Sequence, residues 1–109
     1  MKKSIIFYGS AESGKSWIAI GICNLFDDDE VFFITMKQYQ SNKKEYSEIF
    51  KIKKLVVIDE CIGKQDIIKF EKLRILLSNT NFIFTTQTKL NKIFFDFEKY
   101  HLVKCISKP

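Results

Sequence analysis

Proline occurs once in 109 residues, as Pro109, and glycine only four times. A collagen-like repeat and a Pro/Gly-rich disordered chain are therefore excluded. Arginine occurs once, at Arg74, histidine once and tryptophan once. The three cysteines, Cys23, Cys61 and Cys105, are odd in number and widely spaced. They form no CxxC pair or Cys/His cluster, so the usual zinc-site spacings are missing, and reduced thiols are expected. No apolar run approaches the ~18 residues of a membrane span. The apolar stretch after Met1-Lys2-Lys3 ends at Gly9, short of the roughly seven to fifteen residues of a signal-peptide core. A soluble cytoplasmic protein without membrane contact is expected.

What remains is the composition of a globular chain, 46% hydrophobic and 28% charged. Its length predicts one domain, residues 1–109, able to hold one core. The formal charge of +5 favours anionic partners such as nucleotides or nucleic acids. The Lys, Ile, Asn and Phe richness is also what AT-rich coding produces.

Five short, nearly continuous apolar runs read as strands buried on both faces of a parallel sheet: Ser4–Tyr8, Val31–Thr35, Leu55–Ile58, Asn81–Thr85 and Leu102–Ile106. Between them lie helix candidates. Lys15–Phe26 carries Ile18, Ile22 and Leu25 on one stripe. Asp66–Leu77 carries Ile67, Phe70, Leu73 and Leu77. Asn42–Phe50 is shorter and more polar, and Lys89–Phe97 is the fourth. Asp27-Asp28-Asp29 opposes a helix C-terminal dipole and reads as a solvated turn. Alternating strands and helices argue for a doubly wound α/β sheet.

The first strand runs into Gly9-Ser10-Ala11-Glu12-Ser13-Gly14-Lys15-Ser16, and a helix follows. This is G-x-x-x-x-G-K-S in a strand–loop–helix setting. Gly9 and Gly14 let the backbone curl so that its N–H groups face a phosphate, and the helix start adds a positive dipole end. Lys15 would neutralise the β- and γ-phosphates, and the Ser16 hydroxyl would bind Mg²⁺. Trp17 is counted with Gly9–Ser16 in this nucleotide-binding stretch, its ring expected to pack against a neighbouring element rather than to contact a base. Leu55-Val56-Val57-Ile58 then delivers Asp59 and Glu60 to a strand's C-terminal end, where open α/β sheets bind ligands. A third strand ends in Thr85-Thr86-Gln87-Thr88.

These segments resemble P-loop nucleoside triphosphatases of the additional-strand, catalytic-glutamate class, including AAA+ ATPases and superfamily three helicases. The resemblance spans residues 5 to 88. It implies a three-layer α/β P-loop fold with a five-stranded, mostly parallel sheet in order 5-1-4-3-2 and no C-terminal lid. Asp59 would join Ser16 around Mg²⁺, Glu60 would activate water, and Gln87 would take the place of the usual sensor Asn. Lys15, Glu60 and Gln87 are thus the catalytic candidates and ATP with Mg²⁺ the ligands.

Arg74 is the one possible arginine finger, with a helix-surface pair to Glu71 as the favoured alternative. Nucleotide kinases generally lack the second acid and use several arginines. The guanine-reading N-K-x-D fails at Phe94 in Asn91-Lys92-Ile93-Phe94, and at Glu45 in Asn42-Lys43-Lys44-Glu45. Lys37, Lys43, Lys44, Lys51, Lys53 and Lys54, interleaved with Tyr39 and Tyr46, are candidates for contact with DNA or RNA. His101 reads as structural. The expected function is ATP hydrolysis coupled to nucleic-acid handling, helicase-like or in DNA packaging or loading, in a virus or mobile element. A homo-oligomer or a larger replication or packaging partner would go with it. The alternative is a nucleotide-dependent switch that acts on a protein partner with little hydrolysis.

Overall fold

The computed structural model describes residues 4–10, 13–88 and 97–105. Five strands, β1 (Ser4–Tyr8), β2 (Val31–Thr35), β3 (Leu55–Cys61), β4 (Phe82–Thr86) and β5 (Tyr100–Lys104), form one sheet in the order β2-β3-β4-β1-β5. Every neighbouring pair is parallel. This is the expected order read from the opposite edge. It places β4, the fourth strand in the chain, between β1 and β3.

The helices are α1 (Lys15–Cys23), α2 (Met36–Ser41), α3 (Lys43–Phe50) and α4 (Gly63–Leu76). Two core clusters lie against the sheet. One joins Ile6, Val56, Ile58, Phe82 and Phe84 to side chains of α2, α3 and α4, among them Met36, Phe50 and Phe70. The other joins Phe7, Val57 and Ile83 to Ala19 of α1. Strand residues alternate between the two clusters, as side chains of period two must. The arrangement is compatible with a three-layer α/β fold. Among the described residues, no helix is long and apolar enough to cross a membrane.

Burial on both faces holds for the three central strands but not for the edges. β3 and β4 are almost wholly buried, whereas β5 is exposed after Tyr100 and β2 is mostly half-exposed. Each edge strand has a neighbour on one side only. β5 also starts two residues before the expected Leu102, because Tyr100 pairs with Ser4 at the start of β1. β3 continues three residues past Ile58.

α1 stops at Cys23 rather than Phe26, and its expected stripe is displaced. Ile18 and Leu25 are exposed, while Lys15, Ala19, Ile22 and Cys23 occupy the inward face at helical spacing. The three aspartates lie in a turn closed by Glu30 N–H to the Asp27 carbonyl. The stripe Ile67, Phe70, Leu73 and Leu77 is buried as expected. α4 itself starts three residues before the expected Asp66. α2 has no counterpart in the sequence reading. It springs directly from β2 through a capping box in which the Thr35 hydroxyl accepts from Gln38 N–H and the Gln38 side chain accepts from Thr35 N–H. The expected helix over 89–97 falls outside the described residues except Phe97, which opens a short 3₁₀ turn to Lys99.

Candidate functional site

Parallel pairing brings the C-terminal ends of β1, β3 and β4 to one edge of the sheet. β1 passes directly into the Gly9–Ser16 loop, of which Ala11 and Glu12 lie outside the described residues. The loop is anchored to both neighbours of β1. Gly9 N–H donates to the Thr86 carbonyl at 3.2 Å, and Cys105 N–H donates to the Tyr8 carbonyl at 2.7 Å. A Cβ on Gly9 would lie 2.3 Å from the Cys105 carbonyl oxygen and 2.8 Å from Ser13 Oγ. Only glycine fits there without backbone movement.

The Ser10 carbonyl gathers the inner loop. It accepts Ser13 N–H at 3.1 Å, Ser13 Oγ at 2.7 Å and Lys15 Nζ at 2.7 Å. Lys15 is buried, so its ammonium is held close to the loop backbone rather than in solvent. Gly14, at φ 81°, turns the chain into α1 as its N-cap and makes no side-chain cap. No acidic residue sits in the first turn. The positive end of α1 therefore faces the loop without a carboxylate of its own.

β3 contributes its two acids through a bulge. Ile58 pairs with Phe84 and Cys61 with Thr86, so three steps on β3 oppose two on β4. The conformation that absorbs the extra residue is Glu60 at φ 57°, left-handed and rare for a non-glycine. Adjacent residues of a regular strand point to opposite faces. Here Asp59 and Glu60 both line one cavity of about 150 Å³, together with Lys15, Ser16, Thr85 and Gln87. Holding a non-glycine in this conformation costs about 1–3 kcal/mol, so surrounding bonds must fix it.

β4 provides those bonds. The Thr85 hydroxyl donates to the Asp59 carboxylate and accepts Glu60 N–H at 3.0 Å. Three residues on, Thr88 Oγ1 accepts Gly63 N–H at 2.6 Å, at the start of α4. The Ser16 hydroxyl donates to both Asp59 oxygens, at 3.0 and 3.2 Å. Thr85 and Thr88 are absent from the sequence-based candidates. Their signal is the polar cluster that ends an otherwise apolar strand, though which residue would face the acids depends on the register.

Two hard oxygen donors, Ser16 Oγ and Asp59, thus stand within hydrogen-bond distance of each other beside a lysine. That pairing fits Mg²⁺ shared with phosphate oxygens, which needs only one or two protein ligands. Among the described residues no group of three His, Cys, Asp or Glu side chains could form an all-protein cage.

Other candidates lie elsewhere. Trp17 is 82% exposed and does not pack against a neighbouring element, because its position on α1 points away from the sheet. Arg74 forms an ion pair with Glu71 at 2.6 Å, donates to Tyr100 Oη at 3.1 Å and lies over the Tyr100 ring at 5.1 Å. The expected Glu71 pairing is present, but in a largely buried setting. Tyr100 pairs with Ser4, roughly 13 Å of strand away from the loop that follows Tyr8. Arg74 is thus tied down near the opposite edge of the sheet. Tyr39 and Tyr46 belong to the aromatic cluster around Phe50, at 5.6 and 6.5 Å, and Tyr39 is buried. Lys51, Lys53 and Lys54 engage Glu48, the Asp29 carbonyl and Glu30. His101 is an exposed residue of the edge strand β5.

No protein-family model matches this chain, and no curated protein matches its sequence.

Proposed function

We propose that the chain is a Mg²⁺-dependent P-loop ATPase core. The observation that carries this reading is the single cavity lined by Lys15, Ser16, Asp59, Glu60 and Gln87, drawn from three adjacent parallel strand ends. At about 150 Å³ it is smaller than the roughly 300–1,000 Å³ of pockets that enclose whole ligands. It suits a terminal phosphate and an attacking water, with the rest of the nucleotide along the outer loop.

In this reading the loop N–H groups and the Lys15 ammonium bind the β- and γ-phosphates. Ser16 and Asp59 would hold Mg²⁺, which would neutralise charge that develops on the phosphates. Glu60, at the cavity wall, accepts the proton of the attacking water, and the Gln87 amide orients that water or the γ-phosphate. Adenine is assigned from the resemblance to the catalytic-glutamate class. Coupling to a nucleic acid rests on that resemblance and on the +5 charge.

Titration calorimetry tests the site. The wild-type protein binds MgATP and Lys15→Ala does not. Equal affinity for the two proteins would contradict the assignment.

A further inference from the structure

A second concave region runs between the α2–α3 pair and α4. Three adjoining cavities of about 500, 310 and 330 Å³ all share Leu76 as a lining residue. Lys43, Lys44 and Lys51 stand on one bank and Lys69 and Lys72 on the other, with Glu48 the sole acidic lining residue. On the α4 bank, one turn beyond Lys72, Leu76 is 71% exposed, whereas Leu73 and Leu77 are buried. Leu76, with the aliphatic stems of the lysines, gives the groove an apolar patch in cationic surroundings.

We propose that this groove docks an acidic amphipathic helix of a protein partner. Helix-in-groove recognition places apolar residues at i, i+3 or i+4, and i+7 onto an apolar floor. Acidic residues flanking that stripe would then meet lysines on both banks. The 14 residues of α4 extend about 21 Å, enough to face three to four turns of a partner helix. Charge complementarity selects an acidic partner, and the apolar patch at Leu76 selects a protein over a nucleic acid. A single strand would seek exposed aromatic rings for its bases. The one aromatic lining residue, Tyr39, is 6% exposed and stacked on Phe50. Lys51 and Lys69 contact Glu48 and Gln40 at 3.0 Å, surface contacts that exchange at little cost. The groove does not include the Gly9–Ser16 loop or the acids of β3.

The test is fluorescence anisotropy with three labelled probes: a designed Leu/Glu peptide of about four amphipathic turns, an isomer of the same composition with its leucines scattered, and oligo(dT). The amphipathic peptide is expected to bind. The scattered isomer, and the amphipathic peptide on Leu76→Asp or on Lys43→Glu/Lys72→Glu, should each bind at least about fivefold more weakly. All three positions are exposed, and matching thermal melts would show that the variants fold. Equal binding of the two peptides, absence of peptide binding, or a groove-dependent preference for oligo(dT) would each overturn the proposal.

Discussion

The hydroxyl of Ser16 donates to both carboxylate oxygens of Asp59, at 3.0 and 3.2 Å, across 43 residues of sequence. The contact exists because α1 starts at the end of the loop after β1 while Asp59 stands at the end of β3, with β4 between them. Asp59→Asn preserves the shape and removes the charge. The Mg²⁺ concentration needed for ATP binding is expected to rise at least about tenfold. An unchanged requirement, measured by calorimetry across a Mg²⁺ series, would remove Asp59 from the metal site.

Thr85→Val deletes the hydroxyl that serves both acids of β3. It leaves Glu60 N–H and an Asp59 oxygen without that partner in a part-buried setting. The expected loss is about 1–3 kcal/mol, seen as a lower melting temperature, with Thr85→Ser close to wild type. Equal melting of Thr85→Val and wild type would mean that the bulge is held by other contacts.

Gly9→Ala pushes a methyl group against the Cys105 carbonyl at 2.3 Å, a backbone atom that cannot swing aside. The loop or β5 must move, so both stability and ATP affinity should fall. Gly14→Ala meets nothing within 4 Å, and only its left-handed φ of 81° opposes it. Its stability cost should be the smaller of the two; the reverse order in paired thermal melts would mean that the close approach at Gly9 is not what restricts that position.

Much of this arrangement was legible in the residues. Ser4–Tyr8 and Val31–Thr35 match the observed strands: Lys3 and Gly9 bound the first apolar run, and Glu30 precedes the second. The loop and the Asp59-Glu60 pair were legible because local strand–loop–helix and strand-end patterns carry them. The bulge at Glu60 was not, since it is defined only against β4, some 25 residues later. The inward face of α1 is not legible in its apolar pattern, because the small Ala19 and the stem of Lys15 are buried there while the larger Ile18 and Leu25 are exposed. α2 is too short, at six residues, to show a helical period, although Thr35-x-x-Gln38 marks its start.

Tyr100 supplies a pH dependence. Burial first, and then its hydrogen bond to Glu71, raise its phenol well above the ordinary value of 10.0. The folded state therefore retains a proton that the unfolded state releases above about pH 10. The stabilisation is complete below pH 10 and declines as pH rises beyond it. Tyr100→Phe should flatten that decline in alkaline denaturation curves and cost about 1–2 kcal/mol near neutrality through the lost contacts with Glu71 and Arg74. An unchanged alkaline slope would assign the decline to other groups, such as the buried Cys61 thiol, which burial also raises.

The central claim is hydrolysis by Glu60. The measurement is phosphate release from MgATP by wild type and Glu60→Gln, each with and without single-stranded DNA. Wild-type release that DNA stimulates is expected, together with a Glu60→Gln variant that still binds ATP but turns over about 10²–10⁴-fold more slowly. Wild-type rates from Glu60→Gln, or tight ATP binding with no release by the wild-type protein in either condition, would contradict hydrolysis by Glu60.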